Sequence, residues 1–384
     1  MDTTNSKKMI DLNPEQQLSE LFGSYKAEWL KEKLYDFYAE PAYFPELTTS
    51  RPCMLVGGRG TGKTTVLRCL SYEGQYALSG RNPASISEWS YYGMYYRVNT
   101  NRVTAFTGPE LGETDWIRLF AHYFNLLMCD LILLFLEWYQ VVRPGTVNLD
   151  DDSLLKIAKS LNLSSVSSIR NLANQIDMLR IEFEAYINNV VDANRPLLSV
   201  QGAPIDTLIE AISQLSEFKN KHFFFLLDEY ENFLDYQQRV ANTLIKHSGQ
   251  NYSFKIGIRE LGWRQRTTLN ITEQLISPAD YVRINIDEKL SDEEFKKFAL
   301  AVCNTRISKV QIKDKKVIKD ISKSLLHLSE NQEAEKLGVQ EHVKSLREEL
   351  EPFISSEQQS IFDKIPLLEA YFFKILGFRK KSIN

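Results

Sequence analysis

Residues 54–65, with the sequence MLVGGRGTGKTT, constrain the fold of this chain more than any other stretch. Three apolar residues lead into a run in which four of six consecutive positions are glycine: Gly57, Gly58, Gly60 and Gly62. The whole chain of 384 residues contains only 17 glycines, so this concentration requires a physical reason. A bare backbone either makes a flexible turn or lets a large anion approach the main-chain amides. The residues on both sides of the run decide between these alternatives.

The run fits the pattern G-x-x-x-x-G-K-[ST], in which backbone N–H groups cradle phosphate oxygens. PCMLVGG, before it, predicts a short buried strand, and KTTVLRCLSYEG, after it, predicts a helix that ends near Gly74. The dipole at the start of that helix favours anions. We therefore expect a nucleotide to be bound by Gly57, Gly58, Arg59, Gly60, Thr61, Gly62, Lys63, Thr64 and Thr65. Lys63 is predicted to reach the β and γ phosphates, and the Thr64 hydroxyl to ligate Mg²⁺.

A second apolar run, FFFLLDEYENF, places Asp228 and Glu229 directly after a predicted strand. An aspartate at this position can hold Mg²⁺, and a neighbouring glutamate can polarise the water that attacks the γ-phosphate. The alternative is a strand that merely ends in acidic residues. GTPases typically lack this glutamate and carry an N/T-K-x-D motif, which the sequence does not contain. The two carboxylates therefore favour ATP as the cofactor and hydrolysis as the reaction, with Glu229 and Lys63 as catalytic residues.

Strand signals alternate with helical sequence along the first 290 residues. Further strands are predicted at YYGMYYRVNT, YSFKIGI and YVRINI, and such alternation predicts an α/β fold with a parallel sheet. Lys63 and Asp228 lie 165 residues apart, and this distance leaves room for a helical insertion within about 110–218. We predict a helical lead-in over 1–50, an ATPase core over 51–289 and a helical domain over 290–384. In that domain, VQEHVKSLREELEPF places apolar residues from Val339 to Phe353 on one helical face.

Arginines after the strand FKIGI are weaker candidates for the site. Arg259 directly follows the strand and is positioned to sense the γ-phosphate, whereas Arg264 or Arg266 would act in trans as an arginine finger. The alternative for each is a surface ion pair. Asn99, at the end of the second predicted strand, would contact Glu229 if the two strands are neighbours.

Composition and charge exclude several classes of protein. The formal net charge of −4 provides no overall field that attracts nucleic acid. The four cysteines include no CxxC pair, which argues against a disulfide framework or a zinc site and favours a reducing cytoplasm. The N-terminus has no signal-peptide pattern, and the apolar segment 126–136 is interrupted by Asp130, so it predicts a buried helix. We therefore expect a soluble cytoplasmic protein without a membrane partner.

Four segments together resemble the AAA+ ATPases of the ORC/Cdc6-like branch: GGRGTGKTT, FFFLLDEYENF, FKIGIRE and LSDEEFKKFA. The resemblance implies a P-loop NTPase core followed by a helical lid. It also implies that Asp228 is the metal ligand beside Thr64, that Glu229 is the hydrolytic residue and that Arg259 is a sensor. For the sensor arginine of the lid it leaves Arg306 and Arg379 equally open. The segment MYYRVNTNRVTAF and the helical stretch after it are similar to a bacterial subgroup linked to mobile-element or phage-defence loci.

The sequence leaves three functions open. The first is an ATP-hydrolysing switch that controls assembly with itself or with a protein effector. The second is a nucleic-acid-binding protein loaded by ATP, indicated by the family and by the lysine-rich stretches KVQIKDKKVIK and FRKK. The third is a phosphotransferase with a small acceptor, although a glutamate that activates water argues against it. Members of the ORC/Cdc6-like branch usually carry a winged-helix DNA-binding domain after the lid, and the sequence after 290 is too short to contain one. We therefore expect either that the DNA-binding role is absent or that this sequence is a fragment of a longer protein.

Overall fold

The computed structural model describes residues 27–290, 292–308, 320–323 and 328–371, together with residues 16, 19, 22 and 23. The chain divides into two compact units, Met1–Val317 and Ile318–Asn384. The described part of the first unit contains five strands, whereas that of the second unit is helical. The division into three segments at residues 50 and 289 stays a prediction.

A five-stranded parallel sheet forms the centre of the first unit. Its strands are β1 Cys53–Val56, β2 Tyr91–Arg97, β3 His222–Asp228, β4 Tyr252–Ile258 and β5 Val282–Asn285. They lie in the order β2-β3-β4-β1-β5, and every neighbouring pair is parallel. The predicted α/β fold with a parallel sheet is therefore confirmed. Because parallel strands end at a common edge, the residues that follow β1, β3 and β4 meet there.

Both faces of the sheet are buried, which explains the continuous apolar runs in its strands. Along β3, Phe223, Phe225 and Leu227 belong to the larger core cluster, whereas Phe224 and Leu226 belong to the smaller one on the opposite face. The helices of the first unit begin with α1 Ala27–Leu30, α2 Lys33–Asp36, α3 Phe44–Leu47, α4 Lys63–Leu70, α5 Tyr72–Leu78 and α6 Thr100–Val103. They continue with α7 Glu113–Val142, α8 Asp151–Ser160, α9 Ile169–Ile187, α10 Ala203–Ser213, α11 Asp235–Lys246, α12 Ile286–Lys289 and α13 Asp292–Ile307.

The helix predicted to run from Lys63 to Gly74 is two helices. α4 ends at Leu70, because Ser71 adopts an extended conformation and caps α5 by accepting a hydrogen bond from the Gly74 N–H at 3.1 Å. Gly74 is therefore inside α5 and does not end a helix. A Cβ at this position would lie 2.1 Å from the Arg68 carbonyl oxygen, so α5 approaches the end of α4 too closely for any larger residue.

The long helix α7 is the main element of the helical insertion between β2 and β3. It packs against β2, α9, α10 and α11, and its aromatic side chains contact aromatic rings of the sheet. The ring centres of Phe135 and Tyr92, for example, are 4.8 Å apart. By length and composition it is the one helix in the described residues that could cross a membrane, but 83% of its most apolar window is buried within the protein. Its Asp130 carboxylate lies 3.7 Å from Arg180 on α9. The prediction of a buried core helix is confirmed.

The second unit contains α14 Glu330–Lys336, α15 Val339–Leu350 and α16 Ser356–Phe362. Val339, Val343 and Leu346 of α15 are buried, as their spacing predicted. Phe353, which the same pattern placed on this face, is 83% exposed. That part of the prediction is wrong, because α15 ends at Leu350 and a 3₁₀ turn containing Pro352 follows.

Candidate nucleotide site

The glycine-rich loop connects β1 to α4 and has the backbone conformation that its glycines permit. Gly60 and Gly62 have φ angles of +86° and +91°, values that residues with a side chain rarely adopt. A Cβ on Gly57 would lie 2.7 Å from the Thr61 hydroxyl oxygen. Gly62 is the N-cap of α4, so the loop passes directly into the N-terminus of a helix, where main-chain N–H groups favour an anion.

Lys63, the first residue of α4, folds back over the loop. Its Nζ donates hydrogen bonds of 2.7 Å to the carbonyl oxygens of Gly57 and of Gly58. Burial lowers the pKa of Lys63, while the negative charges of Glu231 and Asp228 oppose this shift. The ammonium is thus partly desolvated and its direct acceptors are neutral, an arrangement in which phosphate oxygens would be stronger partners than the two carbonyls.

Asp228 joins the acidic end of β3 to the loop helix. Its Oδ2 accepts hydrogen bonds from the Thr64 hydroxyl at 2.7 Å and from the Tyr95 hydroxyl at 2.9 Å, and Asp228 is 1% exposed. Its Oδ1 accepts a hydrogen bond of 3.0 Å from the Glu229 N–H. The structure therefore brings together the two residues predicted to hold a metal ion, Thr64 and Asp228.

This pair of oxygen donors fits Mg²⁺. The ion prefers oxygen ligands and is commonly held by one or two protein groups, with phosphates and water completing the shell. Among the residues that the structure describes, no group of three or more His, Cys, Asp or Glu side chains could form an all-protein metal site. Thr64 and Asp228 are thus the residues that would hold the ion, and Tyr95, which the sequence did not single out, would orient Asp228.

Glu229 lies beside Asp228 in a left-handed backbone conformation, with φ 55° and ψ 44°, which is uncommon for a residue with a side chain. Its carboxylate pairs with Arg97 Nη2 at 2.8 Å and accepts a hydrogen bond of 3.1 Å from Asn232 Nδ2. Asn99, the predicted partner, instead caps α6 by accepting a hydrogen bond from the Asn101 N–H at 2.9 Å. It nevertheless lines the same cavity of about 500 Å³ as Glu229.

Sequence reasoning missed Arg97, although a signal was present. Arg97 is the last residue of β2, two positions before Asn99, and residues two apart along a strand point to the same side. Once β2 and β3 are neighbours, the register pairs Arg97 with Asp228, which places the Arg97 side chain next to Glu229.

Arg259 follows β4 and faces a cavity of about 730 Å³ that Gly57 and Gly58 also line. Its Nε lies 2.8 Å from Glu231 Oε1. The structure therefore brings the predicted sensor to the loop, and it adds a third carboxylate, Glu231, that the sequence did not single out. Arg259, Glu231 and the phosphate-binding loop share one cavity at the edge of the sheet.

The remaining arginines have other surroundings. Arg264 pairs with Asp235 at 2.6 Å and donates to the Glu231 and Phe233 carbonyl oxygens, which agrees with the ion-pair alternative. The Arg266 guanidinium lies 5.2 Å from the centre of the Trp263 ring. Arg306 on α13 lies over the rings of two phenylalanines, Phe22 and Phe37, and Arg379 is outside the described residues.

The parallel sheet, the glycine loop leading into α4 and the acidic end of β3 define the class of protein: an α/β P-loop NTPase. A family model described as ORC-CDC6-like matches residues 20–382, and the chain belongs to this family of ORC/Cdc6-like AAA+ ATPases. The match also spans the residues after 290, where LSDEEFKKFA carried the sequence resemblance. No curated protein and no solved structure gives a significant match to the chain. Membership of the family implies nucleotide binding and hydrolysis.

Proposed function

We propose that this protein binds ATP with Mg²⁺ and hydrolyses it to ADP and phosphate. The observation that carries the proposal is the contact of 2.7 Å between Thr64 in the phosphate-binding loop and Asp228, with Glu229 as the next residue. This contact places the expected metal ligands and a carboxylate base at one edge of the sheet. When bound, Mg²⁺ would neutralise phosphate charge and hold the β and γ phosphates in place.

Each residue of the site has a defined task in this reaction. Lys63 would exchange the Gly57 and Gly58 carbonyls for phosphate oxygens. The Glu229 carboxylate would orient a water molecule and accept its proton as the water oxygen bonds to the γ-phosphorus. The bond between that phosphorus and the bridging oxygen breaks, and ADP leaves with the electron pair. In the structure one oxygen of the Glu229 carboxylate pairs with Arg97, and the carboxylate has further lone pairs that can accept a hydrogen bond from the water.

The substitution Glu229→Gln tests this assignment. The amide has nearly the shape of the carboxylate but does not accept the proton, so we expect hydrolysis to fall by on the order of 10²–10⁴-fold while ATP binding is retained. Phosphate release without any added acceptor measures the activity and separates an ATPase from a phosphotransferase. Glu32→Gln, at an exposed pair with Arg81, is the matched control. Equal turnover by Glu229→Gln and the wild-type protein would remove Glu229 from the mechanism.

We further propose that the nucleotide state is a switch for assembly in the cytoplasm, either with further copies of the chain or with a protein effector, in anti-phage defence. The ORC/Cdc6-like AAA+ family and the similarity of MYYRVNTNRVTAF to a defence-linked subgroup support this role. Measuring the molecular mass in solution with ADP and with a non-hydrolysable ATP analogue tests the assembly. An identical mass in both states, with and without candidate effectors, would contradict the switch.

DNA loading is the alternative function. The lysine-rich stretches at 309–319 and 378–381 lie outside the described residues, so the structure adds no support to it. Salt-dependent retention of the full chain on duplex DNA with ATP would favour this alternative, and no retention at low salt would exclude it.

A further inference from the structure

Glu231 places a negative charge in a cavity that the start of the phosphate-binding loop also lines. Its side chain is only 11% exposed, and its Oε1 lies 2.8 Å from Arg259 Nε. The cavity of about 730 Å³ that both residues line also contains Gly57 and Gly58 of the phosphate-binding loop. A carboxylate at this position is unexpected, because an ATP site gains affinity from positive charge and loses it from nearby negative charge.

The Glu231 side chain is held in place more firmly than the Arg259 side chain, and its Oε2 also accepts a hydrogen bond of 3.4 Å from the Arg259 main-chain N–H. The carbonyl oxygen of Glu231 accepts a hydrogen bond of 3.0 Å from Arg264 Nη1. Gly262 packs against it so closely that a Cβ on that glycine would lie 2.3 Å from the Cβ of Glu231. Arg259, by contrast, has a side chain that is 53% exposed. If the ion pair opens, Arg259 is therefore the partner that moves.

The charge of Glu231 also acts on the loop lysine. Glu231 is the acidic residue whose negative charge acts most strongly on Lys63, ahead of Asp228. Glu231 thus interacts with Lys63 and Arg259, the two cations that the sequence predicted to reach the terminal phosphate. In the structure, the Glu231 carboxylate pairs with Arg259 as a phosphate oxygen of bound ATP would.

We propose that Glu231 competes with the γ-phosphate for Arg259 and thereby lowers the affinity for ATP relative to ADP. ATP must displace the carboxylate to gain Arg259, whereas ADP has no γ-phosphate and leaves the ion pair intact. Glu231 is a specificity-determining residue in this scheme: it sets how much ATP is needed before the triphosphate state forms. The inference rests on the proposed function, since it assumes that the loop binds these nucleotides.

The test compares Glu231→Gln with the wild-type protein in the binding of ADP and of a non-hydrolysable ATP analogue, both with Mg²⁺. Glutamine keeps the shape and removes the charge. We expect the affinity for the analogue to rise about tenfold, corresponding to about 1.4 kcal/mol, and that for ADP to change less than twofold. In an Arg259→Met background the gain for the analogue should shrink, because the freed arginine is its main source. Glu260→Gln is the matched control, since Glu260 lines the same cavity but pairs with Arg283.

The outcomes separate this inference from the proposed function. If the wild-type protein binds both nucleotides and Glu231→Gln changes them equally, or weakens the analogue, Glu231 is not a competitor and the inference fails alone. Retained ADP affinity in Glu231→Gln shows that the variant is folded. If the wild-type protein binds neither nucleotide, the proposed function fails and this inference fails with it.

Discussion

The polar edge of the sheet and the helical insertion both bury polar groups, but they give them different partners. In the insertion, His122 and Asn125 on α7 are fully buried and bond to residues 199–202, through main-chain groups and through the uncharged Ser199 hydroxyl. His122 Nδ1 accepts from the Ser199 N–H at 3.0 Å, and the Asn125 amide bonds to the Val200 carbonyl at 2.8 Å and the Gly202 N–H at 2.9 Å. These bonds fix one segment of the chain onto a helix.

At the edge of the sheet, the partners are charged side chains on separate elements. Arg97 on β2 holds Glu229, and Arg259 after β4 holds Glu231, across two partly open cavities. A bond to the main chain can be replaced only if the backbone moves, whereas a pair of side chains can exchange one partner for a ligand. The type of hydrogen-bond partner, main chain or side chain, therefore separates polar groups that fix the fold from those available for chemistry better than burial does.

The largest effect that would test this comparison is expected from Lys63→Ala. Two charged hydrogen bonds to phosphates would be lost, each worth about 1.5–3 kcal/mol, so ATP affinity should fall by on the order of a thousandfold. The melting temperature should change less than the affinity, because the cost of burying the charge of Lys63 offsets part of its two hydrogen bonds to loop carbonyls. Titration with a fluorescent ATP analogue and thermal unfolding measure the two quantities. Lys289→Ala, at an exposed pair with Glu46, is the control.

A Lys63→Ala variant with a much lower melting temperature but an unchanged ATP affinity would reverse the division between the two regions. Such a result would mean that Lys63 stabilises the fold and does not bind the phosphates.

Acid should destabilise the helical insertion by protonating His122. Burial lowers the pKa of His122 from 6.5 to about 4, so stability from keeping it neutral is present above pH 6.5 and is lost as the pH falls through 4. The shift corresponds to about 3 kcal/mol in the free energy of unfolding. Asn at position 122 keeps an acceptor for the Ser199 N–H but does not titrate. The stability of wild type relative to His122→Asn should therefore fall between pH 6.5 and 4.

Chemical denaturation at several pH values measures this difference. His222, whose pKa burial also lowers to about 4, is present in both proteins, so its contribution cancels. If the free energies of unfolding of the two proteins change in parallel with pH, His122 is not held neutral by the fold. The buried polar groups of the insertion would then not differ from those of the site in the way described.

The sequence predicted the loop and the acidic strand end because each is a local pattern. Gly60 and Gly62 are needed by the loop backbone itself, and Asp228 ends its own apolar strand. The parallel sheet also followed from local signals, since apolar runs alternate with helical segments. In each case, neighbours in the sequence determine the structure.

Residues whose role depends on distant neighbours were missed. Arg97 meets Glu229, 132 positions along the chain, only through the register of β2 and β3. Glu231 meets Arg259 because β4 lies beside β3 in the sheet, and no spacing in the sequence encodes that order. Asn99 was predicted for the task that Arg97 performs, because the strand was predicted to continue past Arg97, where β2 ends.

The smallest effect that sharpens the comparison is expected from Tyr95→Phe. The Tyr95 hydroxyl donates to Asp228 Oδ2 at 2.9 Å, and burial raises the pKa of Tyr95, so the hydroxyl stays protonated and remains a donor. Phenylalanine keeps the ring on which the Arg68 guanidinium lies at 4.8 Å and removes only the donor. Asp228 would then be less well oriented, and we expect half-saturation by Mg²⁺ in the ATPase reaction to need about threefold more ion.

Tyr96→Phe is the matched control, because Tyr96 is the next residue of β2 and packs against the larger core on the other face of the sheet. It should leave the Mg²⁺ requirement unchanged, whatever it does to stability. Equal shifts in the Mg²⁺ requirement for both variants would mean that β2 acts on the site only through its packing. A shift confined to Tyr95→Phe would mean that the uncharged Tyr95 hydroxyl tunes the expected metal ligand Asp228 through a single hydrogen bond. Tyr95 would then be one more replaceable side-chain partner at the edge of the sheet.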